Sequence, residues 1–306
     1  MQTAVFCHWN SLSWQYKTEN PVGNPLFIRT CIPPADRPKY PDMSIFRFPR
    51  AIFGEFSHRA GVYLVLLCAG QVLAFDTNTP VGYLENNFQR SHERFEKDTN
   101  NVEAGWDFGR ACFDMSTLQK DSAREARFAE LGIAACRAAL AADPGSAAAH
   151  YYLGMDMGQL ADTKHNLSAL HMVKDMEREF LAAHALDEKF DNAGPDRNLG
   201  MLYRDAPVFA SIGSRTKARQ HLERAVELAP SFPENQLILI EAYLKWDYHT
   251  EAARQLAELE KIWPAAKKKY TGVAWELSWQ DWNKRFENVK RKLEGNPRLI
   301  ESPHSQ

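Results

Sequence analysis

One interval constrains this chain more than any other feature. Lys217-Ala218, Leu222, Ala225 and Pro230 recur as Glu251-Ala252, Leu256, Leu259 and Pro264, each 34 positions further along. From Asn101 to Leu293 apolar residues return at helical spacing, with no alternating stretch of useful strand length. A fixed period of this size is a structural unit copied along the chain. A unit of two short helices cannot bury its apolar side alone, so the copies must stack and share a core.

The first helix of each unit carries its own signature. It reads Leu199-Gly200-x2-Tyr203, Leu153-Gly154-x2-Met157, Phe108-Gly109-x2-Cys112 and Leu239-Ile240-x2-Tyr243, with isoleucine in place of glycine in the last. Glycine after the leucine lets a second helix approach closely, since residues at this spacing share one face. Second-helix partners are Cys136 and Ala139, closing at Asp143-Pro144, and Phe180 and Ala183, closing at Asp187-Glu188. This period and motif order are those of tetratricopeptide repeats. The expected fold is therefore all-α, a tetratricopeptide-like helical-hairpin solenoid of about four units over residues 101–264.

The first three hairpins are longer than a regular repeat. One of their turns runs from Asp205 to Ser214, with Pro207 and Gly213 to stop and restart helices. Trp275, Trp279, Trp282, Phe286, Val289 and Leu293 alternate by four and three, which predicts one apolar stripe on a capping helix within residues 265–295. Residues 75–100 read as a lead-in segment and 296–306 as a loose tail.

The N-terminal quarter reads as processing. Residues 1–42 lack periodicity and carry six prolines, and they are read as a non-native extension ahead of a true start at Met43. Arg47, Arg50, His58 and Arg59 then precede the apolar run from Gly61 to Gly70, and Val72-Leu73-Ala74 follows. A basic flank, a short apolar core and small residues at the end make a secretory signal peptide over 43–74, cleaved before Phe75. An uncleaved anchor or a buried core helix are the alternatives. Leu67 stands where a lipobox needs a small residue, so Cys68 is read as unlipidated. Removing this region leaves Cys112 and Cys136, both on apolar helix faces, where core packing is favoured over pairing.

Several classes are excluded. Lys plus Arg total 37 against 39 for Asp plus Glu, which gives no electrostatic case for nucleic acid. No stretch reaches the ~20 unbroken apolar residues of a membrane span. Phosphate-loop, dinucleotide, zinc-protease and serine-hydrolase motifs are lacking, and the histidines show no repeated ligand spacing with Asp, Glu or Cys. The chain is expected to be no enzyme, with no cofactor and no metal.

The stripe beside the packing face of the first helices gives the expected partner-binding residues. These are Trp106, Arg110 and Phe113; Tyr151 and Met155; Arg197, Met201 and Arg204; Leu237 and Glu241. Aromatic and apolar residues interleaved with arginine suit a protein segment. The alternative is a carrier in which the long hairpins enclose a small amphipathic or apolar ligand.

The long first pair of hairpins, Tyr151-Tyr152-Leu153-Gly154, the run Gly194-Pro195-Asp196-Arg197-Asn198-Leu199-Gly200-Met201-Leu202-Tyr203 and the turn through Pro207 to Gly213 resemble one export-directed group. Over roughly residues 100–264 the chain is similar to the T-component of tripartite ATP-independent periplasmic (TRAP) transporters. That resemblance implies an exported, periplasmic or envelope-associated adaptor that binds the transporter's substrate-binding protein, with a homo-oligomer as a further expectation.

Overall fold

Helices start where the sequence supplies a cap. Thr79, Asn101, Asp121, Ser146 and Ser214 each turn a side-chain oxygen onto a backbone N–H two or three residues on, satisfying a donor the helix cannot. The computed structural model describes residues 77–164, 167–208 and 211–295, which belong to one unit. The expectations for residues 1–42, the signal segment 43–74 and the tail 296–306 lie outside the described residues.

Ten α-helices follow one another with no strand among the described residues: α1 (Pro80–Lys97), α2 (Val102–Thr117), α3 (Ser122–Ala142), α4 (Ala147–Asp162), α5 (Leu167–Leu186), α6 (Phe190–Asp205), α7 (Arg215–Leu228), α8 (Pro233–Lys245), α9 (His249–Lys269) and α10 (Glu276–Glu294). A 3-10 turn, Val273–Trp275, precedes α10. Four antiparallel hairpins result, α2–α3, α4–α5, α6–α7 and α8–α9, and each second helix also packs on the first helix of the next hairpin. The first helices touch one another in the order α2, α4, α6, α8 and form an inner layer; α10 packs on α8 and α9. The fold is thus the all-helical hairpin array that the period implies.

The signature glycines act by close approach. A Cβ on Gly200 would stand 2.5 Å from Leu222 of α7, and one on Gly154 would stand 2.7 Å from the Phe180 ring of α5. Gly109 likewise admits the Cys136 sulfur. Cys112 and Cys136 are both buried free thiols, and burial raises the thiol pKa of each. Ile240 fills the equivalent place on α8 and is fully buried.

Two boundaries differ from expectation. The lead-in segment is mostly helix α1, whose Phe88 and Phe95 pack on Phe108 with ring centroids 5.4 and 5.6 Å away. Pro264 does not end the last hairpin, because α9 continues to Lys269. Proline forfeits one backbone bond and crowds the preceding turn. Trp263, Ala266 and Tyr270 on either side are buried in the core, and that packing keeps the helix going. The capping helix has the expected stripe: Trp282, Phe286, Val289 and Leu293 are buried and Trp279 is half-buried.

A carboxylic acid is buried in the core between the first two hairpins. Asp156 of α4 is fully buried against Gly132 of α3, and neither carboxyl oxygen has a hydrogen-bond partner. Burial, reinforced by the nearby Asp114, raises its pKa well above the ordinary carboxylate value. Burial also pushes Asp114 up to about 7.

Gly200→Leu should destabilise the protein by ~1–3 kcal/mol in urea unfolding, the usual cost of overpacking; an unchanged midpoint would contradict the close approach. The raised Asp156 pKa means the folded state prefers its protonated form. Its contribution is therefore most favourable below the unfolded value of ~4 and is lost as pH rises through the higher folded value. Asp156→Asn should melt above the parent at pH 8, with the gap closing towards pH 4. A gap that widens on acidification would contradict this.

Candidate functional site

The inner layer holds the residues that the sequence singles out, but it does not leave them equally accessible. Phe113, Tyr151, Met155, Arg197, Met201 and Leu237 are buried, which corrects the expectation of an open stripe at these positions. Trp106, Arg110, Arg204 and Glu241 are half-buried. The reason is packing across neighbouring helices. Phe113, Tyr151, Met155, Met201 and Leu237 all belong to the continuous apolar core, and the Tyr151 ring sits 5.3 Å from Phe190 and 6.1 Å from Phe180.

At the centre lies a polar cluster that joins three of the inner helices. The Arg197 guanidinium pairs with the Asp191 carboxylate at 2.6 Å, donates to the Tyr151 hydroxyl at 3.1 Å and reaches Asn235 Oδ1 at 3.1 Å. Tyr151 itself donates to Asp191 at 2.8 Å, and Asn198 Nδ2 donates to Tyr151 at 3.0 Å. Burial raises the Asp191 pKa despite the opposing pull of Arg197 and Tyr151.

This cluster holds an unusual backbone. Asp191, Asn192 and Ala193 are all left-handed, with φ of 49°, 56° and 62°. Asp and Asn tolerate that region, whereas alanine does not visit it readily. Arg197 donates to the carbonyls of Asp191 and Asn192 at 3.2 and 3.3 Å, and Asn235 Nδ2 donates to Asn192 at 2.9 Å. The strained turn is therefore stapled to α6 and α8. The run Asp191-Asn192-Ala193-Gly194-Pro195 carries turn-forming residues that hint at such a break. The buried clamp has no comparable signal in the sequence.

Towards the C-terminal end, charges are neutralised in place. Arg204 pairs with Asp205 at 2.6 Å, and Lys245 reaches the same carboxylate at 2.7 Å. Burial would raise the Asp205 pKa, but these two cations win and hold it below the usual range. Glu241 is gripped by Arg285 of α10 through two 2.8 Å bonds. Burial opposes its ionisation, and Arg285 outweighs burial, so its pKa is lowered. Arg285 also pairs with Glu234 at 2.6 Å, and Trp282 Nε1 donates to Glu234. The capping helix is thus locked onto α8.

At the other end Trp106 and Arg110 of α2 keep partial exposure, while Tyr152 of α4 is buried. Trp106 of α2 lies parallel to Tyr152 of α4, ring centroids 6.1 Å apart and planes within 7°. Arg110, one turn on from Trp106, pairs with Asp107 at 3.0 Å while its Nε has no hydrogen-bond partner. An aromatic surface beside a cation can hold an apolar or aromatic group and a nearby acceptor. Among the described residues no group of three or more His, Cys, Asp and Glu could hold a metal ion, and no helix is long and apolar enough to cross a membrane.

A sequence profile of the family described as "Regulator of microtubule dynamics protein 1-3" matches residues 82–192, from α1 to the left-handed turn. No curated protein matches the chain. Among solved structures, the chain is similar to TTC0263, a thermophilic TPR (tetratricopeptide repeat) protein of Thermus thermophilus, with 16% identity and a TM-score of 0.52 over 69% of this chain and 92% of that one. Two structures of MamA also match, at 19% and 20% identity, TM-scores of 0.41 and 0.40, 60% and 64% of this chain and 91% of each MamA chain. The likeness to TTC0263 places the fold among tetratricopeptide repeats.

Removing the clamp should be costly. Arg197→Met leaves Asp191 buried without its cation, and breaking a buried pair in this way costs ~3–5 kcal/mol. The double variant Arg197→Met/Asp191→Asn should recover part of that loss in urea unfolding. A single variant within ~0.5 kcal/mol of the parent, the usual range for surface substitutions, would show that the clamp carries no weight.

Proposed function

We infer that this protein is a non-enzymatic scaffold that holds a segment of a partner protein on the N-terminal part of its inner face, where Trp106 and Arg110 keep partial exposure. The observation that carries this reading is the Trp106–Tyr152 platform with the half-buried Arg110 beside it. Arg197 is buried with Asp191 and Arg204 is paired with Asp205, whereas Arg110, though paired with Asp107, keeps a guanidinium Nε that no acceptor meets. Recognition therefore falls to the residues of α2 and α4, and an acidic partner is not captured by Arg197 and Arg204. Tryptophan, tyrosine and arginine are the side chains most often found to carry binding energy at protein interfaces.

The matched family profile spans this same platform and is named for regulating microtubule dynamics, which makes a microtubule-associated partner the first candidate. The similarity to the TRAP T-component supplies the second candidate, an exported substrate-binding protein. The native N-terminus separates them. A chain that begins at Phe75 belongs with export, and a chain that keeps the apolar segment belongs with the first candidate.

A photo-crosslinking amino acid at position 106 of the full chain, expressed in its native cells, tests the scaffold reading. The expected result is a covalent adduct to one protein, identified by mass spectrometry and lost at least tenfold in Arg110→Gln with the helix content unchanged. Adducts only to lipid or small molecules would contradict the scaffold and favour the enclosed-ligand carrier.

A further inference from the structure

We propose that the outer face carries a second docking site, a pocket between α3 and α5 that takes one apolar side chain of a helical partner segment flanked by an acidic and a basic residue. The pocket has a volume of about 250 Å³. Ile133, Met157 and Leu160 line it and are nearly buried, and Met172 of α5 adds a half-buried wall. That is room for a leucine-sized group, and methionine side chains adapt readily to what they contact.

The charges around the pocket say what should cover it. Glu130, Ala134 and Arg137 lie on one exposed face of α3 and all line the pocket. Glu130 and Arg137 have no ion-pair partner among the described residues, whereas Asp175 on the α5 side is paired with Arg178 at 2.7 Å. Seven residues of helix place Glu130 and Arg137 about 10 Å apart along the axis, with Ala134 between them. A partner helix laid in the groove matches that interval with residues seven apart.

Direction follows from the dipoles. As second helices of successive hairpins, α3 and α5 run the same way. A helix docked antiparallel to both opposes their dipoles and brings its own N-terminal side to Arg137. Its sequence pattern is then an acidic residue, an apolar residue three places on and a basic residue four places after that. Such a segment also suits its own dipole, with acid early and base late. The aromatic platform of α2 and α4 takes no part, so the two sites stand or fall separately.

The test uses the full chain labelled with carbon-13 methyl methionine and two blocked alanine-based helical peptides. One carries Glu, Leu and Arg at i, i+3 and i+7, and the other exchanges the two charges. The Glu–Leu–Arg peptide should shift the Met157 and Met172 methyl signals and leave those of Met155 and Met201 on the inner layer in place. The charge-exchanged peptide should bind at least tenfold more weakly. Glu130→Arg/Arg137→Glu, both exposed positions, should reverse that preference. Absence of shifts at millimolar peptide, equal binding of the two peptides, or an unchanged preference in the double variant would each overturn the proposal.

Discussion

Arg197 is the cation around which the inner layer is arranged. One guanidinium ties the Asp191 carboxylate, the Tyr151 hydroxyl on α4 and the Asn235 amide on α8, and it also holds two carbonyls of the left-handed turn. A stack of hairpins rests largely on apolar packing between neighbouring units. Apolar packing is tolerant of small slides, whereas a charge-assisted bond is directional. The turn at 191–193 sets how α6 enters the stack after α5, so the clamp fixes the register of the third hairpin against the second and fourth.

The rest of the array follows from helices brought close by small residues. Gly154 and Gly200 allow Phe180 and Leu222 to press directly on the backbone of the first helix. The apolar core then runs without a break from Phe113 to Leu293, ending under α10. Arg285 closes that end by satisfying Glu234 and Glu241, two acids drawn from the inner face of α8. The C-terminal end is thus closed by buried ion pairs, whereas Trp106 and Arg110 keep partial exposure near the start of the array.

Much of this is legible in the sequence because it is periodic. Ala218 and Ala252 mark second helices 34 residues apart, and the Trp275–Leu293 stripe reads directly as a one-sided helix. The non-periodic features are not legible. Arginine is ordinarily a surface residue, and nothing in the spacing of Arg197 shows that Tyr151, 46 positions earlier, will bury it. Asp156 reads as one more charge on a helix, yet it lies over Gly132 with no partner. Pro264 reads as a terminator because proline commonly is one, and core packing on both sides overrules it. The inner-face residues fall on the helices that the motif spacing assigns them, but the sequence does not tell which of them a neighbouring helix will cover.

Arg197 couples three hairpins through one buried bond network. Native-state hydrogen exchange of Arg197→Met, read by mass spectrometry against the parent, tests it directly. Loss of protection should appear together in the turn at 190–198, in α4 around Tyr151 and at the start of α8 around Asn235, while α2 and α3 keep theirs. Loss confined to α6, or an even loss over every helix, would contradict it.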